Sequence, residues 1–264
     1  MSESPRLSRY VSGTRQRTNI LRLSTGVSTT SGSEFSLWRF LGNPGPGAIP
    51  PTGVGEIPTN ATAGSLPFTN GVNNLFLELL QLSCGRGIHL CSLYERTWHN
   101  SGLNSAITTL QSVDSGVIAR GDGLWLEVYT QAGGGVATTA TVVYVNSLGT
   151  TGRVATVSIP ASAVPAGRVL QFQLQQGDIG VSEITSFQMA GTMGGATGNL
   201  GLTVGRELAV MTSGLDGTGQ RRTYFKLGGP RIYNDSCLAL RMMIGTSGTM
   251  GHMMGAVGIV DAEL

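Results

Sequence analysis

Three observations predict an all-β fold: an antiparallel β-sandwich of jelly-roll type with an extended N-terminal arm and a proline-rich strap. Glycine occupies 40 of 264 positions, about double its usual ~7%, and each glycine inside a helix costs roughly 1 kcal/mol relative to alanine. Charged residues make up only 12% of the chain while hydrophobic residues reach 40%. A core is therefore available, but charge to coat a surface is scarce. Short segments also alternate apolar and polar side chains between glycine turns, as strands with one wet face do.

The basic residues are lopsided, which removes several chemistries. Lys226 is the only lysine, and the other sixteen basic residues are arginines. Because Leu227 follows Lys226, no G-x-x-x-x-G-K-[S/T] phosphate loop exists. Thr223 stands where a Ser-x-x-Lys motif would need its serine. A formal net charge of +2 is too weak to mark specific nucleic acid or a membrane as the partner. The first residues lack the ~7–15 apolar run of a leader, and no apolar run reaches the ~18 residues of a membrane-spanning helix. Three cysteines cannot all pair within one chain, which suits synthesis in a reducing host cytoplasm.

In chain order, residues 1–22 read as a basic arm carrying Arg6, Arg9, Arg15, Arg17 and Arg22 against the single acid Glu3. A solvated terminus and an arm that orders on a neighbouring subunit both stay open. Residues 35–41 (FSLWRFL) read as a first strand. Six of the ten prolines then fall between Pro44 and Pro67. Proline lacks a backbone donor and fixes φ, so residues 42–70 form a strap, either over the surface or between subunits. Residues 72–83 fit helical and strand periods alike, and their glycine-punctuated surroundings favour a strand.

Strands follow at 88–94, 124–130, 140–146, 153–159 and 168–175, with residues 146–152 (NSLGTTG) as a hairpin turn. In the last of these, Leu170, Phe172 and Leu174 alternate with Gln171, Gln173 and Gln175. Residues 186–211 and 237–264 resemble each other and read as two glycine- and methionine-rich hairpins. The chain thus divides into the arm at 1–22, a sandwich over 23–213 that includes the strap, and a C-terminal hairpin extension over 214–264 packed on the same domain.

No chemistry-bearing constellation stands out, and no catalytic residue, metal or cofactor is expected. Cys84, His89, Cys91 and His99 fall within sixteen residues, but their spacing fits no standard zinc module. Small buried thiols are the simpler reading, with a Cys84–Cys91 disulfide as the runner-up in an oxidising medium. A thiol hydrolase around Cys91 has no sequence feature to single it out. The G-x-S-x-G elbow is missing too: residues 245–248 read Gly-Thr-Ser-Gly, without the closing glycine. Glycines between 191 and 201 lie between strands, so they punctuate a hairpin and do not cradle a phosphate. Met250, Met253 and Met254 make a candidate deformable C-terminal interface.

A family likeness runs through an ordered set of phrases. They are Ser36-Leu37-Trp38, residues 47–51 (GAIPP), 61–70 (ATAGSLPFTN), 93–103 (LYERTWHNSGL), 144–153 (YVNSLGTTGR) and 176–181 (QGDIGV). Together these resemble a group of tailed-bacteriophage virion structural proteins, mostly head-associated, over roughly residues 20–210. The resemblance implies a β-sandwich particle component, a capsid decoration (cement) protein located in the virion. Its partners would be the major capsid protein and further copies of itself, as a homo-oligomer for which a trimer is expected. Candidate capsid and subunit contacts are Arg6, Arg9, Arg15 and Arg17 of the arm and Pro44, Pro46, Pro50 and Pro51 of the strap. The alternative is a tail, collar or fibre component that binds host glycans through Trp98 with His99, or through Trp125.

Overall fold

The computed structural model describes residues 13–23, 28–194, 197–213, 220–223, 229–245, 248–249 and 251–262. Every regular element among them is a strand. In order these begin with β1 (Thr14–Arg22), β2 (Ser28–Thr29), β3 (Glu34–Ser36), β4 (Gly42–Asn43), β5 (Asn74–Cys84), β6 (Leu90–His99) and β7 (Leu103–Asn104). Next come β8 (Gln111–Ser112), β9 (Gly123–Val128), β10 (Thr138–Asn146), β11 (Arg153–Ile159), β12 (Arg168–Gln171) and β13 (Val181–Met189). The chain closes with β14 (Asn199–Thr212), β15 (Gln220–Thr223), β16 (Arg231–Ile232), β17 (Cys237–Met243), β18 (Gly248–Thr249) and β19 (Met253–Ala262).

The antiparallel all-β fold expected from composition is what forms, and its central layer closes on itself. β14 pairs with β6, β6 with β17, β17 with β3, β3 with β12, β12 with β9, and β9 with β14 again. This ring is a six-stranded barrel, which leaves no free edge along its wall. On one side lies the sheet β15-β5-β19-β1-β4, with β16 also on β5; on the other lies β11-β10-β13-β8. Two apolar cores glue these layers to the barrel. Leu77, Leu80 and Leu82 of β5 share one with Leu93, Leu238 and Leu240 of the barrel. In the other, Val142, Ile184 and Phe187 join Leu124, Leu126 and Leu202.

Several expectations need correcting. Residues 14–22 are not a free arm: β1 pairs along its whole length with β19, from Thr14↔Asp261 to Arg22↔Met253. Its polar face stays wet while Ile20 and Arg22 turn inward. The first strand shrinks from 35–41 to Glu34–Ser36, because the chain turns at Trp38 and Arg39. Neither C-terminal hairpin forms. β13 sits in an outer sheet and β14 in the barrel, while β17 belongs to the barrel and β19 to the other outer sheet. β14 is held between β9 and β6, and β19 between β1 and β5, so neither has an edge left for its sequence neighbour. Of the described strands beyond residue 214, β15, β16 and β19 therefore lie in one outer sheet and β17 in the barrel.

Candidate functional site

Strand alternation sends one series of barrel side chains into the lumen. Ser92, Tyr94 and Arg96 come from β6, Trp125 and Glu127 from β9, Ala239 and Arg241 from β17, and Thr203 from β14. A six-stranded barrel is narrow, and glycines make the room. A Cβ on Gly201 would lie 2.6 Å from a Tyr129 ring carbon, and one on Gly123 would lie 2.6 Å from the Trp125 indole. On Gly205 it would stand 2.9 Å from Tyr94.

Arg96, fully buried, is the hub of this lumen. Its Nη2 donates to Glu127 Oε2 and to the Tyr129 hydroxyl, each at 2.7 Å. Nη1 donates to the Tyr94 hydroxyl at 3.2 Å, and Nε donates to His99 Nδ1 at 2.6 Å. Glu127 also accepts from Thr203 Oγ1 at 2.8 Å. Burial opposes the Arg96 charge, but Glu127 and the two tyrosines outweigh it and hold the guanidinium more basic than usual. Burial, reinforced by Arg96, pushes His99 well below the ordinary imidazole range. His99 is thus neutral, accepting at Nδ1 and donating from Nε2 to Glu56 at 2.9 Å. Paired and hydrogen-bonded, the buried charges form a rigid polar plug.

One barrel mouth is a cleft of about 250 Å3 bordered by Glu34, Ser92, Asp122, Trp125, Glu207 and Arg241. Arg241 lies 4.0 Å over the Trp125 ring and reaches Glu34 at 2.9 Å and Glu207 at 3.4 Å. Burial raises the Glu34 pKa against the opposing pull of Arg241. The strap closes the opposite end. Trp38 Nε1 donates to Ala48 O, Trp98 Nε1 to Val54 O, Asn100 Nδ2 to Gly53 O and Ser101 Oγ to Pro50 O. Gly47 lies so close to the Trp38 indole that a Cβ there would sit 2.1 Å from it.

The predicted contact residues scatter accordingly. Arg6, Arg9 and Met250 lie outside the described residues. Arg15 and Arg17 are exposed on β1, and Arg15 pairs with Glu78 at 2.7 Å within the chain. Pro50 is a buried residue of the strap and Pro44 is half-buried, its carbonyl accepting from Arg22 Nη1, whereas Pro46 and Pro51 face solvent. Met253 is buried in the core beneath β19, which removes it as a contact; strand alternation leaves Met254 outside. The glycan candidates Trp98, His99 and Trp125 are all buried.

The cysteines Cys84, Cys91 and Cys237 are buried thiols, none of them in a disulfide. Contact with Cys84, together with burial, holds the Cys91 thiol well above its ordinary pKa. His89 is spent on Arg86 O and Gly245 N.

Sequence reasoning missed a set of exposed aliphatic tips. Val117 is 78% exposed, Leu148 76% and Ile179 72%. Backbone bonds gather their loops at one end of the outer sheet: Ser147 N to Gly180 O, and Ile118 N to Ser182 O. The signal was an aliphatic residue inside a turn phrase, as in NSLGTTG and QGDIGV, where polar residues are the norm.

The sequence matches no protein-family model and no curated protein. Among solved structures, the VP2 subviral particle of infectious bursal disease virus aligns over 94% of this chain and 81% of its own, at 11% identity and a TM-score of 0.20. T=1 particles derived from the same virus align over 95% and 78%, at 10% identity and a TM-score of 0.20. At that level the likeness carries no argument about what this chain does.

Proposed function

We propose that this chain is a non-catalytic structural component of a virus particle: a capsid decoration protein that stabilises a tailed-phage shell by bridging its subunits. The observation that carries the reading is the cluster Val117, Leu148 and Ile179, large apolar side chains held in solvent at one end of an outer sheet. Single exposed aliphatics are ordinary, but a cluster of them on ordered loops marks a surface that another protein covers. The phage-like phrases support the same reading, since two of them, residues 144–153 and 176–181, supply Leu148 and Ile179. Cement of this kind works by adding buried interface to the assembled state, so it stabilises the shell by mass action. The partners are the major capsid protein and other copies of this chain.

The test is occupancy of particles by the Leu148→Asp, Ile179→Asp double variant. Both side chains are exposed, so the melting temperature should hold while occupancy falls at least about tenfold, as a ~1.4 kcal/mol loss would give. Undiminished occupancy would remove this surface as the contact.

A further inference from the structure

Beyond the lumen, the arginines converge on one tyrosine. The guanidinium carbons of Arg120, Arg231 and Arg206 lie 4.1, 4.8 and 5.1 Å from the centre of the Tyr233 ring. Beneath them Glu95 is buried, accepting from Arg120 Nη2 at 2.8 Å, Arg206 Nε at 3.0 Å and Ser236 Oγ at 2.6 Å. One carboxylate thus serves two guanidiniums and leaves the third, Arg231, with no acidic partner among the described residues. Arg206 Nη2 also donates to the Arg231 carbonyl at 2.6 Å, which fixes the backbone that presents Arg231.

A cleft of about 300 Å3 opens at this cluster, bordered by Asn73, Asn74, Arg120, Arg231, Tyr233 and Asn234. Its remaining described walls are Leu75 and Ile232, so no carboxylate among the described residues lines it. Of the nearby acids, Asp261 accepts from the amides of Val72 and Asn73 and Asp235 from Asn70 Nδ2, while Asp122 faces Arg206. Arg120 uses Nε and Nη2 on Glu95, leaving Nη1 without an acceptor among the described residues. Asn234 is spent on Gly71 through both its amide atoms. What remains is a concave site of guanidinium donors and the Asn73 and Asn74 side chains, with a ring that stacks the cations, and such donors suit negative charge.

We propose that this cleft is a binding site for a compact oxyanion, a carboxylate or phosphate group, held by the planar fork of Arg231 and the free edge of Arg120. Glu95 is a positioning residue here: it fixes Arg120 and Arg206 around Tyr233, so the site is organised before the anion arrives. The anion is either free in solution or borne on the acidic side chain of an adjoining polypeptide. This inference does not rest on the particle reading, and either can fail alone.

Calorimetric titration of the full chain with inorganic phosphate and with glutarate, a mimic of an acidic side chain, tests it. Wild type should bind at least one of them saturably, and added salt should weaken the binding. Arg231→Gln should weaken it at least about tenfold, the scale of a charge-assisted pair, while Arg17→Gln on β1 should leave it unchanged. Saturation by glutarate alone identifies the carboxylate source, and saturation by phosphate alone the phosphate source. If Arg231→Gln melts early, Arg231→Lys, which keeps the charge but loses the fork, must still weaken binding. Saturable binding of neither anion, or equal weakening by Arg231→Gln and Arg17→Gln, overturns the proposal.

Discussion

Glycines at 123, 201 and 205 remove three Cβ atoms from the inner wall of the barrel, and Trp125, Tyr129 and Tyr94 fill the space. Arg96 enters that filled volume fully charged, and Glu127 answers it at 2.7 Å. Little of this was legible in the sequence. β6 and β9 are buried on nearly every residue, so the polar lumen series Ser92, Tyr94, Arg96 carries no wet–dry contrast to read. Asp178 is a second hub, and it acts on the outside of the fold. It accepts from Asn146 Nδ2 and Arg153 Nε, each at 2.8 Å, and from the Tyr144 hydroxyl. The Arg153 bond comes first among the causes that lower its pKa to about 2, against ~3.9 for a free aspartate. A carboxylate whose folded pKa is depressed contributes stability above its unfolded pKa and loses it as pH falls through the folded one. The melting-temperature advantage of wild type over Asp178→Asn should therefore be full above about pH 4 and vanish towards pH 2. An advantage unchanged across that window would show that the hydrogen bonds matter and the charge does not.

At the scale of elements, β10 and β11 were readable because one face is wet: their burial alternates residue by residue. β5 was ambiguous for a structural reason. Its ladder with β19 slips between Gly258 and Ile259, which shifts the inward series from Leu75 and Leu77 to Leu80, Leu82 and Cys84. A bulge of this kind breaks strict alternation and mimics a helical period. The strap was legible from its prolines as neither helix nor central strand, and β4 at its start pairs only at the edge, on β1; its destination was not legible, because its contacts run through backbone carbonyls that any sequence supplies. Arg22 secures both of its ends, donating to Phe40 O, Pro44 O and Gly64 O. Burial lowers its pKa to about 10, so it remains charged at neutral pH. Gly47 sets how closely the strap approaches Trp38. Gly47→Ala should therefore lower stability by about 1–3 kcal/mol through overpacking, read as a shift in the denaturation midpoint. A midpoint unchanged within error would mean that the strap lies off the barrel in solution.

The whole molecule is a polar-filled barrel clasped between two sheets, each glued to it by its own apolar core. The two C-terminal strands were misread as a hairpin because adjacency in sequence favours pairing, whereas here they are divided between barrel and sheet. That division ties the end of the chain to its beginning, since β19 is clamped between β1 and β5. Charge is scarce, and among the described residues part of it goes into internal ion pairs such as Arg96–Glu127 and Arg120–Glu95. Part of the outer surface is left to aliphatic tips. A rigid body with apolar contacts at one end of a sheet is suited to being one tile among many. The copy number of this chain in purified particles tests that claim most directly, by quantitative mass spectrometry against the major shell subunit. The account predicts a fixed stoichiometric ratio to that subunit that survives washing. A chain that stays wholly soluble and absent from particles would contradict it.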